Sequence, residues 1–334
     1  MTRKLFFRLL LLVVLVVAGA ATFLLLKRPD MAPAPGITVA RTPERIARGK
    51  YLFHVVSSCW DCHSEVDESR FGGPLVPDTL GKGKAFPKDA GLPGNIVAPN
   101  LTPDSETGAG NWTDGQLIRA IREGIGNDDR VLFPFMPYTE FAHMSDEDVQ
   151  SLVAYIRTLS PVTNPLPKTT IDFPVSVFIK FAPKPVGSVP QPDHSDRVAY
   201  GKYLTRIGGC YFCHTPAKND QPIPGKDFAG GHEFQMAPGA RVVSYNLTPD
   251  LETGTGKWTE LEFLDKFYQY KDYAEKGSPK VERHSNTVMP WLGHSQFQPD
   301  DLKAIFAYLR TVPPQVNAVV TKPDAPENRK DSKK

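Results

Sequence analysis

The stretch "SSCWDCHSEV" at residues 57–66 places two cysteines three positions apart, with a histidine directly after the second. A later stretch, "GGCYFCHTPA" at residues 208–217, has the same arrangement. Together the two stretches use all four cysteines of the chain, which are Cys59, Cys62, Cys210 and Cys213. They therefore indicate one type of chemical site that occurs twice in a single chain.

The segments around the two cysteine motifs are repeated as well. The pairs are "ARGKYLFHVVSSCWDCH" (47–63) with "AYGKYLTRIGGCYFCH" (199–214), and "NLTPDSETGAGNWT" (100–113) with "NLTPDLETGTGKWT" (246–259). Repeated motifs joined by segments of unequal length are typical of two copies of one domain. We therefore expect one domain over residues 43–162, a Pro-rich linker over 163–195, a second domain over 196–315 and a charged tail over 316–334.

Each copy has helical patterns and few strand patterns, which predicts an all-α fold. A helix is expected to begin at Thr42-Pro43, and capping boxes begin helices at Thr113 and Thr259. The last helix of each copy has an apolar stripe, formed by Val149, Leu152, Val153, Ile156 and Leu159 and by Leu302, Ile305, Phe306, Leu309 and Val312. Gly49 and Gly201 are expected to let the first helix approach the last one closely. Residues 271–286 are expected to form an exposed loop.

Four chemistries use a Cys-x-x-Cys pair. A zinc site would combine both pairs around one ion, and a dithiol redox site is usually found in an α/β frame that is not visible here. A disulfide is common in exported proteins, but one across three residues closes a very small loop and stabilises little. Covalent haem attachment also accounts for the histidine that follows each pair. The motifs therefore predict two covalently bound haem c groups, with His63 and His214 as proximal iron ligands.

The other side of each iron needs a ligand or an opening. Met136 in "PFMPY" and Met289 in "VMPW" occupy matching places in the two copies and are each followed by proline, so both are candidate sixth ligands. The other methionines have no counterpart and are expected to fill space in the core. His143, His284 and His294 are rival candidates, which we rank lower as surface or loop histidines. His/Met ligation raises the reduction potential and suits electron transfer.

Two repeated tryptophans complete the candidate sites. Trp112 and Trp258 follow glycine-rich turns, where an indole can pack on a haem edge or donate a hydrogen bond to a propionate. The alternative interpretation is that each one packs at the start of the helix that follows it.

The N-terminal residues 1–30 have the pattern of a membrane segment. Arg3, Lys4 and Arg8 precede an uncharged apolar run, and 22 residues counted from Leu5 to Leu26 can span a hydrocarbon core of about 30 Å. The preceding positive charge favours a cytoplasmic N-terminus and a periplasmic body, attached to the inner membrane by a single pass. A cleaved signal peptide is the alternative, because Ala18-Gly19-Ala20 resembles a cleavage site. The apolar run continues beyond it, which favours an uncleaved anchor.

The charge distribution argues against nucleic acid as a partner. Residues 1–30 contain five basic residues and one acidic residue, a net charge of +4. Because the whole chain has a net charge of +2, the remaining 304 residues carry −2. The body therefore has no basic excess with which to bind phosphates.

These motifs together resemble a known family. The CxxCH motifs, "NLTPDxETGxGxWT" and "FPFMPYTEFAHMSDEDVQSLVAYIRTL" make the chain resemble the c-type cytochrome subunit of membrane-bound quinoprotein alcohol dehydrogenases and the similar multihaem cytochromes of other periplasmic dehydrogenases. The resemblance implies two tandem class I cytochrome c domains and Met136 and Met289 as sixth ligands. That alcohol dehydrogenase subunit typically has three such domains, whereas this chain has two copies.

The leading hypothesis is a membrane-anchored electron carrier that is not itself an enzyme. It would take electrons from a dehydrogenase or respiratory complex and pass them to a quinone, a cytochrome or an oxidase. The alternative is a dihaem oxidoreductase that acts on a small inorganic substrate, as a thiosulfate dehydrogenase or a peroxidase does. Two equivalent methionines argue against the open iron site that such catalysis needs.

Overall fold

A computed structural model describes residues 3–87, 90–218, 221–237, 240–282 and 285–325. The chain is mostly helical. The helices are α1 (Arg3–Leu26), α2 (Pro43–Tyr51), α3 (Cys59–His63), α4 (Asp114–Glu123), α5 (Tyr138–Phe141), α6 (Asp146–Ile156), α7 (Val175–Phe178), α8 (Arg197–Ile207), α9 (Cys210–His214), α10 (Glu260–Tyr268), α11 (Lys271–Lys276), α12 (Trp291–His294) and α13 (Pro299–Leu309). A π-helical turn, Leu52–Val56, extends α2, and a 3₁₀ turn, Ile179–Phe181, extends α7.

Short strands accompany the helices, so the all-α expectation holds only in part. They are β1 (Lys84–Ala85), β2 (Gly94–Asn95), β3 (Val97–Ala98), β4 (Thr170–Ile171), β5 (Ala217–Lys218), β6 (Gln221–Pro222), β7 (Glu233–Ala237) and β8 (Ala240–Val243). They pair antiparallel as β1–β3, β2–β4, β5–β6 and β7–β8, with Lys84 opposite Ala98, Gly94 opposite Ile171, Ala217 opposite Pro222 and Glu233 opposite Val243. These strands connect loops and form no extended sheet.

The predicted helix starts are confirmed by their hydrogen bonds. Thr42 caps α2 by accepting from the backbone N–H of Arg45, and Pro43 is the first helical residue. Thr113 and Thr259 each form a complete capping box, with Gln116 and Glu262 as the returning side chains. Each of these caps satisfies backbone donors that would otherwise be unpaired at the start of a helix.

The first helix of each repeat crosses the last helix of the same repeat at a glycine. Helix α2 packs on α6, and α8 packs on α13. A Cβ atom at Gly49 would lie 1.8 Å from the carbonyl oxygen of Ser151, and one at Gly201 would lie 1.9 Å from that of Ala304. Both distances are far shorter than any real contact, so only glycine allows these crossings. The predicted apolar stripes of α6 and α13 are fully buried at the same crossings.

The two repeats also pack on each other, through a pair of reciprocal contacts. The Tyr51 hydroxyl donates to Asp301 Oδ2 at 2.6 Å, and the equivalent Tyr203 hydroxyl donates to Asp148 Oδ2 at 2.6 Å. Each hydroxyl also accepts a backbone N–H from the opposite repeat, that of Gln298 at 3.0 Å or Ser145 at 3.2 Å. Because each tyrosine reaches the other repeat in the same way, the interface has approximate two-fold symmetry.

The segment expected to be an exposed loop, residues 271–286, is partly buried. It begins with α11, and Ser278 and Asn286 are 1% and 4% exposed. The Asn286 amide donates to the carbonyls of Glu68 and Arg70, each at 3.0 Å, so the segment packs against the first repeat. Most described residues of the segment are exposed, as expected, and the expectation fails where Asn286 finds backbone partners across the interface.

The linker also follows the surface of the first repeat. Strand β4 pairs with β2, the Val186 N–H donates to Glu123 Oε1 at 3.1 Å, and Arg122 donates to the Gly187 carbonyl at 2.9 Å. These hydrogen bonds all join the linker to the first repeat, and none of them joins it to the second. The linker is therefore an ordered part of the first half of the molecule.

The reciprocal tyrosines yield a prediction about stability. Tyr51→Phe leaves the buried Asp301 carboxylate without its side-chain partner, and we expect the free energy of unfolding to fall by about 1–3 kcal/mol. Tyr203→Phe is the matched control, since Asp148 keeps two bonds from Arg48, both at 2.8 Å, and should cost less. Guanidinium titration followed by circular dichroism measures both losses. Equal losses in the two variants would contradict this explanation.

Candidate functional site

Each cysteine motif forms a short helix whose last residue is the motif histidine. Helix α3 contains Cys59, Cys62 and His63, and α9 contains Cys210, Cys213 and His214. Both helices begin after a residue with left-handed backbone, Ser58 at φ 46° and Gly209 at φ 73°. The same backbone geometry therefore places the two thiols and the imidazole of each repeat on one helical turn.

The histidine rings are held in one orientation by backbone carbonyls. His63 Nδ1 lies 2.9 Å from the Pro99 carbonyl oxygen, and His214 Nδ1 lies 2.8 Å from that of Tyr245. A carbonyl only accepts, so Nδ1 carries the proton in each ring and Nε2 has its lone pair free. Burial lowers the pKa of His63 to about 4 and lowers that of His214 as well. Both rings are therefore neutral near pH 7, the form that binds a metal.

The carbonyls that orient the rings directly precede the repeated Asn-Leu-Thr-Pro-Asp segments. Asn100 directly follows Pro99, accepts the Thr102 N–H at 2.9 Å and donates to the Val162 carbonyl at 2.7 Å. In the second repeat Asn246 accepts from Thr248 at 3.0 Å and donates to the Gln315 carbonyl at 2.7 Å. Each asparagine thus ties the carbonyl-bearing turn to the chain that follows the last helix. The repeat of these segments is visible in the sequence, but a role for the carbonyl before each asparagine is not predicted from it.

The four thiols are unpaired, and none forms a disulfide. Burial raises the pKa of each of them to about 12. For Cys213, the neighbouring Cys210 and then Cys62 of the other motif raise the pKa further. Across the part of the chain that the structure describes, His, Cys, Asp and Glu side chains form no cluster of three or more that could hold a metal ion. The two motifs thus lie near each other without forming a shared zinc site.

Met136 and Met289 have the same local backbone in the two repeats. The Tyr138 N–H donates to the Met136 carbonyl and the Trp291 N–H to the Met289 carbonyl, both at 2.7 Å. The proline between them has φ −78° and ψ 55° in the first repeat and φ −76° and ψ 58° in the second, which is an inverse γ-turn. Both methionines are half-buried against the hydrophobic core, whereas Met144 is fully buried.

The three rival histidines occupy different environments. His143 is exposed, as expected, and His284 lies outside the described residues. His294 is not a surface residue: it is 2% exposed, and its Nδ1 donates to the Val55 carbonyl of the first repeat at 2.7 Å. Burial lowers its pKa to about 4. The expectation for His294 was wrong because the interface between the repeats covers this position.

The two repeated tryptophans have different neighbours. Trp258 lies beside the turn that orients a histidine, and Trp112 lies at the start of the helix that follows it. The Trp258 ring stacks on Tyr245 with centroids 6.2 Å apart, and Tyr245 supplies the carbonyl to His214. Trp112 lines a surface cavity of about 770 Å³ together with residues 34–38, and its carbonyl accepts from Arg157. Trp258 therefore contacts the residue that orients His214, and Trp112 shares a cavity with the N-terminal segment at the start of α4.

The two motifs lie close together across the interface. The Ser57 hydroxyl, one residue before the first left-handed position, donates to the Ile207 carbonyl at 2.9 Å. The Trp60 indole within the first motif donates to the His54 carbonyl at 3.0 Å, and Gly293 of the second repeat packs on that carbonyl. The peptide that leads into each motif therefore contacts the other repeat.

The donor atoms of each repeat fit a covalently bound haem. Two thiols on one helical turn match two attachment points on one porphyrin edge. An imidazole with its Nδ1 proton bonded to a carbonyl and its Nε2 free is the usual state of a histidine ligand to a metal. A half-buried methionine on a stiff turn supplies a thioether of the type found in c-type cytochromes.

Comparison with known proteins identifies the class of protein that the chain resembles. Residues 46–160 match the family model described as Cytochrome c. The chain is 30% identical over 296 residues to the cytochrome c subunit of alcohol dehydrogenase (quinone) from Gluconacetobacter polyoxogenes, covering 84% of this chain and 59% of that subunit. It is 32% identical over 284 residues to the fructose dehydrogenase cytochrome subunit from Gluconobacter japonicus, covering 80% and 52%. The chain thus spans somewhat more than half the length of these two relatives.

A third relative is covered over most of its length. The diheme cytochrome c-type protein of Cereibacter sphaeroides is 30% identical over 276 residues, which are 80% of this chain and 86% of the relative. The resemblance to cytochrome c subunits of dehydrogenases is therefore confirmed, and it implies covalently bound haem c. On the family match and this relative, the chain belongs to the cytochrome c family.

Proposed function

We propose that this protein is a membrane-anchored dihaem cytochrome c that carries electrons on the periplasmic side of the bacterial inner membrane. One observation carries the proposal: the two repeats hold His63 and His214 with the same backbone bond from Nδ1, which leaves Nε2 of each free. The domains would be residues 43–162 and 196–315. Each would attach one haem through its cysteine pair.

The proposed iron ligands are one histidine and one methionine in each repeat. His63 would pair with Met136, and His214 with Met289, on opposite sides of each haem. Haem c supplies a reversible one-electron centre, and His/Met ligation raises its reduction potential relative to two histidines. The chain keeps both imidazoles neutral and fixed, and the stiff turn at each methionine keeps its sulfur in place. Fixed ligands suit electron transfer because they change little when the charge on the iron changes.

The packing of the repeats supports a route for electrons through the molecule. The contact between Ser57 and Ile207 brings together the segments that lead into the two motifs. The hydrogen bonds from Tyr51 to Asp301 and from Tyr203 to Asp148, one donated by each repeat, hold the two repeats in this arrangement. We infer that haems held at the two motifs would lie beside this contact region, so the packing of the repeats would bring two one-electron centres together.

The partners follow from the names of the relatives. An alcohol dehydrogenase and a fructose dehydrogenase each have a cytochrome subunit similar to this chain. We propose a dehydrogenase or respiratory complex as donor, and a quinone, a cytochrome or an oxidase as acceptor. A role as electron carrier rather than enzyme agrees with a ligand on each side of both irons.

Helix α1 is the proposed membrane anchor. It is long and apolar enough to cross a membrane, and its side chains are not buried against the rest of the described chain. Arg3, Lys4 and Arg8 at its start favour a cytoplasmic N-terminus, which puts the body in the periplasm. Attachment by a single helix would hold the carrier close to membrane-bound partners.

The number of haems is tested by removing one cysteine pair at a time. We expect the mass of the denatured wild-type protein to exceed that of the polypeptide by two haem groups. Cys59→Ala with Cys62→Ala, and separately Cys210→Ala with Cys213→Ala, should each reduce this to one haem and halve the haem absorbance. The two double variants serve as controls for each other. A double variant that still carries two covalent haems would refute the assignment of that pair.

The methionine ligands are tested by optical redox titration with carbon monoxide. In the wild type we expect two reversible haems that do not bind carbon monoxide, since both irons have a sixth ligand. Met136→Ala and Met289→Ala should each let one of the two haems bind it, and each should lower the potential of that haem. Met144→Leu is the control, because Met144 is buried in the core. Binding by the wild-type protein would instead indicate an open iron and favour an enzyme.

A further inference from the structure

The linker carries a group of exposed aromatic side chains. Phe173, Phe178 and Phe181 are 79%, 59% and 43% exposed within nine residues of chain. We name residues 173–181 the aromatic segment. Single exposed apolar side chains are common on protein surfaces. Several large apolar side chains grouped in one short segment instead indicate a surface that a membrane or another molecule covers.

The aromatic segment is an ordered element. Just before it, the Asp172 N–H donates to the Pro93 carbonyl at 3.0 Å, next to the β2–β4 pair. Val177 faces inward and is 7% exposed, while Phe178 beside it faces outward. Helix α7 and the 3₁₀ turn that follows it therefore present Phe178 and Phe181 to the outside, and Phe173 is exposed just before the helix begins.

The aromatic segment lies beside the end of the proposed anchor. The Lys180 ammonium donates to the Leu25 carbonyl at 3.2 Å, one residue before α1 ends. The Lys27 ammonium lies 5.6 Å from the centroid of the Phe181 ring. Aromatic rings and lysines gathered where an apolar helix ends are typical of the membrane–water interface.

The connection between α1 and the first repeat is also held against the protein. A Cβ atom at Gly115 of α4 would lie 1.8 Å from the Pro35 carbonyl oxygen, so the connection packs directly on that helix. The Val39 N–H donates to Asp114 Oδ2 at 2.9 Å, and Val39 is 4% exposed. Both chain segments that adjoin the end of α1 are therefore attached to the first repeat.

The charge near the aromatic segment fits a lipid surface. Lys27, Arg28, Lys180 and Lys184 lie within or next to the segment and the end of α1. Basic side chains at this level attract anionic headgroups, while phenyl rings enter the region between headgroups and acyl chains. This combination favours a bilayer over the surface of a soluble protein.

We propose that residues 173–181 lie in the lipid interface on the periplasmic side and insert Phe173, Phe178 and Phe181 among the headgroups. This inference rests on the proposed anchoring by α1. The helix and the aromatic segment then make two membrane contacts, and the first repeat is held against the bilayer with a defined face.

The test uses the full chain with its haems, reconstituted into vesicles of phosphatidylethanolamine and phosphatidylglycerol. One cysteine is introduced per variant and labelled with a nitroxide: Phe178→Cys in the segment, Val14→Cys in α1, and Leu261→Cys as the matched control. Leu261 is 67% exposed and lies on α10 of the second repeat, so it resembles Phe178 in exposure. The wild-type chain, treated in parallel, corrects for labelling of the native thiols.

Accessibility of each label to oxygen, which dissolves in lipid, and to a nickel chelate, which stays in water, gives its depth. We expect Phe178→Cys to favour oxygen over nickel several-fold relative to Leu261→Cys, with Val14→Cys deeper still. The haem absorbance of each variant checks that it is folded.

The depth of the label at position 178 tests the inference, and the depth of the label at position 14 tests the proposed membrane anchor. Nickel access at 178 equal to that at 261 would overturn the inference, whether or not α1 is in the bilayer. Protection of 178 from both reagents would overturn it as well, because protein would then cover the segment. A label at position 14 that is in water or absent would overturn the proposed anchor, and with it the inference that rests on it, whatever the label at position 178 shows.

Discussion

The bond from each histidine Nδ1 to a backbone carbonyl is the contact on which both candidate sites depend. It determines which nitrogen carries the proton, and so which one is free for a metal. The bond forms only because Pro99 and Tyr245 are held in place by the asparagine turns that follow them. Each asparagine turn is hydrogen-bonded to the chain that follows the last helix of its repeat, α6 or α13. Helices α6 and α13 in turn cross the first helices of the repeats at glycine residues. The orientation of one ring therefore depends on a helix crossing some distance away along the chain.

Much of this arrangement can be predicted from residue types. Capping boxes, apolar stripes and glycine crossings all depend on contacts within one helix or one repeat, and the sequence shows them directly at Thr113, Thr259, Gly49 and Gly201. The cysteine and histidine motifs are equally direct, since their side chains carry the chemistry. The equivalent turns at Met136 and Met289 also follow from a repeated Met-Pro pair.

Other features depend on contacts that no local pattern shows. The carbonyls of Pro99 and Tyr245 act through the backbone, so their residue types say nothing of the role. Tyr51 and Tyr203 have the spacing of apolar core residues, yet their hydroxyls bond across the interface. His294 ends a four-residue helix and Asn286 lies in an irregular segment, and both are buried where they bond the first repeat. Two-residue strands such as β2 and β4 are too short for any periodic pattern.

The reciprocal contact between the repeats has a consequence for the origin of the molecule. Tyr51 of the first repeat contacts Asp301 of the second, and Tyr203 of the second repeat contacts Asp148 of the first. The same Tyr–Asp contact therefore occurs twice, with the tyrosine on a different repeat each time. This is the contact pattern of a symmetric homodimer, here contained within a single polypeptide. It is what a duplication and fusion of the gene for a self-associating ancestor would leave. The two sides have since diverged, because Arg48, which bonds Asp148, is matched by Tyr200 in the second repeat. Because both halves lie in one chain, each copy of the contact can have its own neighbouring residues, which two identical subunits could not have.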